Sequence, residues 1–166
     1  MTWTTTLDEI RRHSPCKEGW AKLLAHLGKT SSDSEPLALS TVLESNGFED
    51  ALWCLRAFPE KQTEISLFAV WCARQVQHLM TDPRSIAALD AVEKHARGEI
   101  TRETLAYVAD AADAADAADA ADAADAADAA RAAYVAAYVA AYAARAAGAP
   151  ANACAAQIAK FKEMIQ

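Results

Sequence analysis

The pattern Trp-Cys-x-Arg occurs twice, as Trp53-Cys54-Leu55-Arg56 and again, eighteen positions on, as Trp71-Cys72-Ala73-Arg74. In a helix a Trp and the Arg three residues later share a face, which sets Trp53 beside Arg56 and Trp71 beside Arg74. Indole surfaces with guanidinium forks suit recognition of a base plus phosphate, or of a carboxylate-bearing partner. If the two helices form an antiparallel hairpin, these faces meet at a cleft, with Gln75 and His78 nearby. The candidate ligand-binding set is therefore Trp53, Arg56, Trp71, Arg74, Gln75 and His78. Its expected ligand is an anionic small molecule such as a nucleotide signal. The plainer alternative puts the indoles in the core and pairs each Arg with an acid such as Asp50, Glu64 or Asp90.

Other chemistry is missing from the sequence. There is no GxSxG, P-loop, glycine-rich dinucleotide turn or HExxH. His13, His26, His78 and His95 fall on different expected helices without ligand spacing, so neither a metal nor a cofactor is expected. Nothing sets a nucleophile beside a base, and the expectation is a protein that is not an enzyme. The cysteines Cys16, Cys54, Cys72 and Cys154 form no CxxC, and Cys54 and Cys72 sit in apolar helical segments, where free Cys acts as a small hydrophobe. That usage predicts a reduced, cytoplasmic protein.

A second feature is acidic. Asp110, Asp113, Asp116, Asp119, Asp122, Asp125 and Asp128 recur at a spacing of three within a run of alanine. Each step of three turns about 300° in an α-helix, so the carboxylates wind round the axis rather than forming a row. Alanine is the best helix former and outweighs Asp penalties of up to about 0.7 kcal/mol each. Three uses compete: a solvated spacer, a surface that binds a basic protein or self-associates into a homo-oligomer, or a mimic of DNA; calcium binding is weaker still, since the carboxylates diverge with no loop to converge them. The mimic fits poorly, since the spiral has half the charge density of B-DNA or less.

These features must be positioned by helices. No segment alternates apolar and polar residues as a strand would, and the fold class is all-α, a multi-helix bundle. A first helix is expected over 6–13, capped by Thr5 or Thr6. A second follows Ser14-Pro15, with Ser14 as cap, and stops at Gly28; a third opens at Pro36 and closes at Asn46-Gly47. The fourth covers about 48–58. The fifth, about 62–80, is apolar on more than one face and should be contacted on both sides. Asp82-Pro83 caps a sixth, which ends at Gly98.

Thr101 then caps a stretch without Gly or Pro until Gly148. Unbroken, it would be about 70 Å long, against a radius of gyration of about 15 Å for a domain of this size. The long Ala-rich helix therefore bends, breaks or projects. Its ends carry Leu105 and Val108, and Tyr134, Tyr138 and Tyr142. A last helix bears Cys154, Ile158, Phe161 and Ile165. The expected organisation is a helical core over 1–100, the long helix over 101–148, and a C-terminal helix over 149–166 that packs on the core.

The 166 residues carry a net charge of −7, and the aspartate run supplies seven of the negative charges. Without it the chain is near neutral, so direct nucleic-acid binding has no basic patch to rest on. The run also interrupts the apolar stretch, so no membrane span is expected, and the N-terminal residues do not read as a signal peptide.

The stretch Ser45-Asn46-Gly47-Phe48-Glu49-Asp50-Ala51-Leu52-Trp53-Cys54-Leu55-Arg56-Ala57 resembles a family of alanine-rich proteins of phages and prophages. So do residues Phe68 to Met80, around Trp71-Cys72-Ala73-Arg74, and Arg84-Ser85-Ile86-Ala87-Ala88-Leu89-Asp90. The likeness covers about residues 35–145. Members are labelled immunity proteins of polymorphic-toxin type, and the label brings no catalytic or binding residues with it. Where members mix charged and aromatic residues in the repeat, this chain has Asp alone between 110 and 128. The resemblance implies an immunity or anti-defence role in the bacterial host cell. That role is met by sequestering a nucleotide signal, or by covering a basic toxin or effector with the acidic helix. A structural phage component is the third possibility.

Overall fold

The computed structural model describes residues 2–75, 77–79, 83–113 and 151–166. Among these residues 75% are helical and 4% lie in strands, which makes the fold all-α. Val76, Asp82, Tyr134, Tyr138, Tyr142 and the course of the long helix past Asp113 lie outside the described residues. Asp110 and Asp113 fall on a described helix, though not with described side chains; Asp116 to Asp128 fall outside altogether. No described helix is long and apolar enough to cross a membrane. The chain divides into two compact units, Met1–Lys61 with Ile158–Gln166, and Gln62–Gln157.

In the first unit, helix α1 (Leu7–Arg12) is capped by Thr6, whose hydroxyl accepts from Glu9 N at 3.1 Å. Helix α2 (Lys17–Leu27) is not capped by Ser14. Cys16 stays extended (ψ 148°), and its Sγ accepts from Gly19 N at 3.3 Å. Ser14 instead adopts a left-handed φ of 56° two residues earlier. Gly28, at φ 65°, ends α2 in the left-handed conformation that glycine tolerates best.

Two strands correct the strand-free reading. Thr4–Thr5 (β1) pairs antiparallel with Leu37–Ala38 (β2), Thr4 opposite Ala38 and Thr5 opposite Leu37. A two-residue strand has no period to detect. Pro36 therefore precedes a strand, and helix α3 starts only at Leu39 and runs to Asn46. Helix α4 is Phe48–Trp53, after which the backbone tightens to 3₁₀ over Cys54–Ala57 and again over Pro59–Lys61. Within the single helix expected over 48–58 the α form ends at Trp53, and helical backbone of either kind stops at Ala57, since Pro59 disfavours it at Phe58, whose φ is −129°.

The core of this unit is made by Leu7, Ile10, Leu23, Leu39, Val42, Leu52 and Phe58, with Phe161 and Ile165 from the C-terminal helix α8 (Ala151–Ile165). Phe161 meets Phe48 edge-on at 5.4 Å. The chain's start is tied down at both sides. Trp3 N donates to Ile165 O at 2.9 Å, and Trp3 O accepts from Leu39 N at 2.9 Å.

The loop before β2 is held by charge. Lys29 Nζ donates to Asp33 Oδ2 at 2.5 Å and to Glu35 Oε2 at 2.6 Å. The Lys29 hydrogen bond holds the Asp33 carboxyl below its ordinary 3.8, and burial opposes it only in part. The stabilisation is present above pH 3.8 and is lost as pH falls through the lowered folded value. In Lys29→Met the carboxyl resonance of Asp33 should titrate at higher pH than in the parent. An unchanged midpoint would show that the pair does not form in solution.

In the second unit, helices α5 (Gln62–Gln75), α6 (Pro83–Ala96) and α7 (Arg102–Asp113) pack in sequence order, α5 on α6 and α6 on α7. Pro83 takes the first helical position of α6, where its missing N–H has no partner to lose. Thr101 caps α7 by accepting from Thr104 N at 3.3 Å. Ile65, Phe68, Val70, Cys72, Ala91 and Leu105 are buried. On α6 it is Ala91 that is buried, whereas the larger Ile86, Leu89 and Val92 are half-buried.

Candidate functional site

The doubled motif divides between the units: Trp53 and Arg56 belong to the first, Trp71 and Arg74 to the second. In the second unit the arginine is committed. Arg74 lies between Asp90, with which it makes a short ion pair, and Glu93 at 3.3 Å, and its Nη1 donates to Gln77 Oε1 at 2.8 Å. These contacts, the Asp90 hydrogen bond foremost, raise the pKa of its guanidinium. Trp71 is half-buried and stacks on Phe68 at 6.4 Å. Gln75 Nε2 turns back to Trp71 O at 3.4 Å, and His78 is exposed on the 3₁₀ turn Gln77–Leu79. Pairing with Asp90 is the alternative weighed from the sequence. A guanidinium held by two carboxylates presents little net charge to an anion.

The first unit offers more. The Arg56 guanidinium rides over the Trp53 ring at 4.3 Å, and Arg11 lies over Trp20 at 5.6 Å. Trp20 and Trp53 both line a cavity of about 80 Å³ whose floor includes Ile10, Leu23 and Val42. The cavity sits where α2, α3 and α4 converge. Its polar groups are few: Asp50, Asn46 and the Cys16 thiol.

These groups are oriented by one residue. Asn46, the last of α3, donates from Nδ2 to Asp50 Oδ2 at 2.7 Å and to Gly19 O at 2.8 Å. Its Oδ1 accepts from Ser45 Oγ at 2.8 Å, so both ends of the amide are used. Gly19 completes the arrangement by lacking a side chain. A Cβ there would come 2.7 Å from Asp50 Oδ2 and 3.2 Å from Cys16 Sγ. Glycine inside a helix costs about 1 kcal/mol relative to alanine, and here the carboxylate takes the vacated space.

From sequence Asp50 is legible only as an acid that could pair with an arginine, and Cys16 only as one of four unpaired cysteines. Cys16 and Asp50 meet here from 34 positions apart, a separation that no local spacing reports. Among the described residues, no group of three or more His, Cys, Asp or Glu is placed to hold a metal ion.

The chain stands apart in every comparison made. No protein-family model, no curated protein and no solved structure matches it.

The thiols separate by environment. Cys54 and Cys72 are buried, and burial pushes each up to about 12; at Cys54 the Asp50 charge adds to the rise and Arg56 opposes it. Cys16 is exposed. In a Cys154→Ser background, one thiol should react quickly with a disulfide reagent at pH 7.5 and two more only on unfolding. Mass spectrometry should place the fast label on Cys16. Labelling of Cys54 or Cys72 at a similar rate would contradict the packing.

Proposed function

We propose that the chain is a non-enzymatic binding protein that neutralises a basic protein, a toxin or defence effector, in the conflict between phage and host. The observation that carries this reading is where charge stands unanswered. Arg74 is neutralised by Asp90 and Glu93, whereas the cavity of the first unit contains the carboxylate of Asp50. The net charge of −7 agrees in sign, and the aspartate run accounts for all of it. The resemblance to phage and prophage immunity proteins gives the setting.

Sequestration of a nucleotide is the second reading, and the Arg56–Trp53 stack favours it. Size weighs against placing a whole nucleotide in the cavity. About 80 Å³ is well below the roughly 300–1,000 Å³ of pockets that take drug-sized ligands.

Affinity capture from host cells, followed by mass spectrometry of retained proteins and small molecules, separates the two. The expected result is a protein of pI above about 9 that elutes with rising salt. Replacing all seven aspartates of the run by Asn should weaken that complex and flatten its salt dependence. Capture of a nucleotide that is lost in Arg56→Ala would overturn the basic-partner reading.

A further inference from the structure

We propose that the cavity of the first unit is a site for one guanidinium or ammonium group on a short apolar stem, held by the Asp50 carboxylate against the indoles of Trp20 and Trp53. The carboxylate is placed for a ligand. Asn46 fixes Oδ2 at 2.7 Å, and among the described residues no lysine or arginine forms an ion pair with Asp50. The carboxylate is half-buried and held by a neutral amide, so a cation entering the pocket adds the charge-assisted hydrogen bond that Asn46 does not make.

The walls select the same class. Indole faces attract cations, and guanidinium most often. The chain itself shows this on both rings, with Arg56 over Trp53 and Arg11 over Trp20. The apolar floor of Leu23 and Val42 suits a methylene stem. Volume sets the size: about 80 Å³ compares with about 150 Å³ for a cavity that takes up benzene, so the cavity takes the charged group with the first part of its stem, and the rest lies outside. Gly19 admits the carboxylate to this place, since a Cβ there would come 2.7 Å from Asp50 Oδ2 and push it aside.

This site goes beyond the proposed function, with which it shares the Asp50 carboxylate, and its test is separate. The test uses the full chain with ethylguanidinium and its uncharged isostere ethylurea, followed by the indole N–H resonances of the tryptophans. Ethylguanidinium should bind saturably and shift the signals of Trp20 and Trp53. Ethylurea should bind at least about tenfold more weakly, the difference a charge-assisted hydrogen bond makes.

Asp50→Asn, which keeps an oxygen for Asn46, should also lose about tenfold or more in ethylguanidinium affinity. Gly19→Ala should lose binding while α2 remains helical by circular dichroism. Should Asp50→Asn fail to fold, the ethylurea comparison and Gly19→Ala decide. Equal affinity for ethylurea, or parental affinity in Gly19→Ala, overturns the proposal.

N-acetyl-arginine methylamide distinguishes the source. Tighter binding than ethylguanidinium supports the site as a socket for an arginine of a protein partner, and weaker binding supports it as a site for a free small amine. If no basic protein is captured yet ethylguanidinium binds, the proposed function fails while the cation site stands. If a basic protein is captured and ethylguanidinium does not bind, the reverse holds.

Discussion

Phe161→Ala should lower the stability of the chain by about 3–5 kcal/mol, the range for truncating a fully buried aromatic. Phe161 is 0% exposed. Its ring packs edge-on against Phe48, the first residue of α4, from more than a hundred positions away in sequence. Deleting the ring removes apolar burial and leaves a cavity that backbone on either side cannot collapse to fill. One side is the helix turn that carries Ile165, whose carbonyl accepts from Trp3 N.

The loss should extend to the β1–β2 pair, because Trp3 is bonded to both Ile165 and Leu39. Urea unfolding followed by fluorescence should show the midpoint falling with the slope unchanged. A shift below about 1 kcal/mol, the scale of a surface substitution, would mean that the C-terminal helix is not docked on the first unit.

This contact also shows what the sequence could and could not reveal. The C-terminal helix was expected from the spacing of Ile158, Phe161 and Ile165, and Phe161 and Ile165 are among the most buried residues. Periodicity says that a face is apolar, not which face it meets. The helix ends marked by Thr6, Gly28, Gly47 and Thr101 were legible because capping is local chemistry. Cys16 is not legible as a cap, since Ser14 is the commoner type and Pro15 suits a first helical position. The extended backbone at Cys16 decided otherwise.

The strands at Thr4–Thr5 and Leu37–Ala38 were illegible for another reason: two residues form no pattern, and their pairing joins segments over thirty positions apart. The candidate site was half legible. Trp53 and Arg56 stack as their spacing requires, but the carboxylate beside them is aimed by Asn46 and admitted by Gly19, neither of which marks a site in sequence.

The two Trp-Cys-x-Arg copies have the same letters and different surroundings, and truncating each tryptophan should expose the difference. Trp53 and Trp71 are both half-buried, so Trp53→Ala and Trp71→Ala should each destabilise the chain by about 2–3 kcal/mol, below the 3–5 kcal/mol of a fully buried ring. Trp71→Ala removes a stacking partner of Phe68 and should leave ethylguanidinium binding unchanged. Trp53→Ala removes a wall of the cavity and the platform under Arg56, and binding should fall below detection.

Trp53→Phe should recover most of the stability, since a ring still fills the space, but less of the binding, since indole is the better cation–π surface. Calorimetric titration of the three variants, each with its urea midpoint, separates packing from recognition. Were Trp71→Ala to abolish binding as well, the ligand would need both copies, and the cavity beside Asp50 would not be its seat.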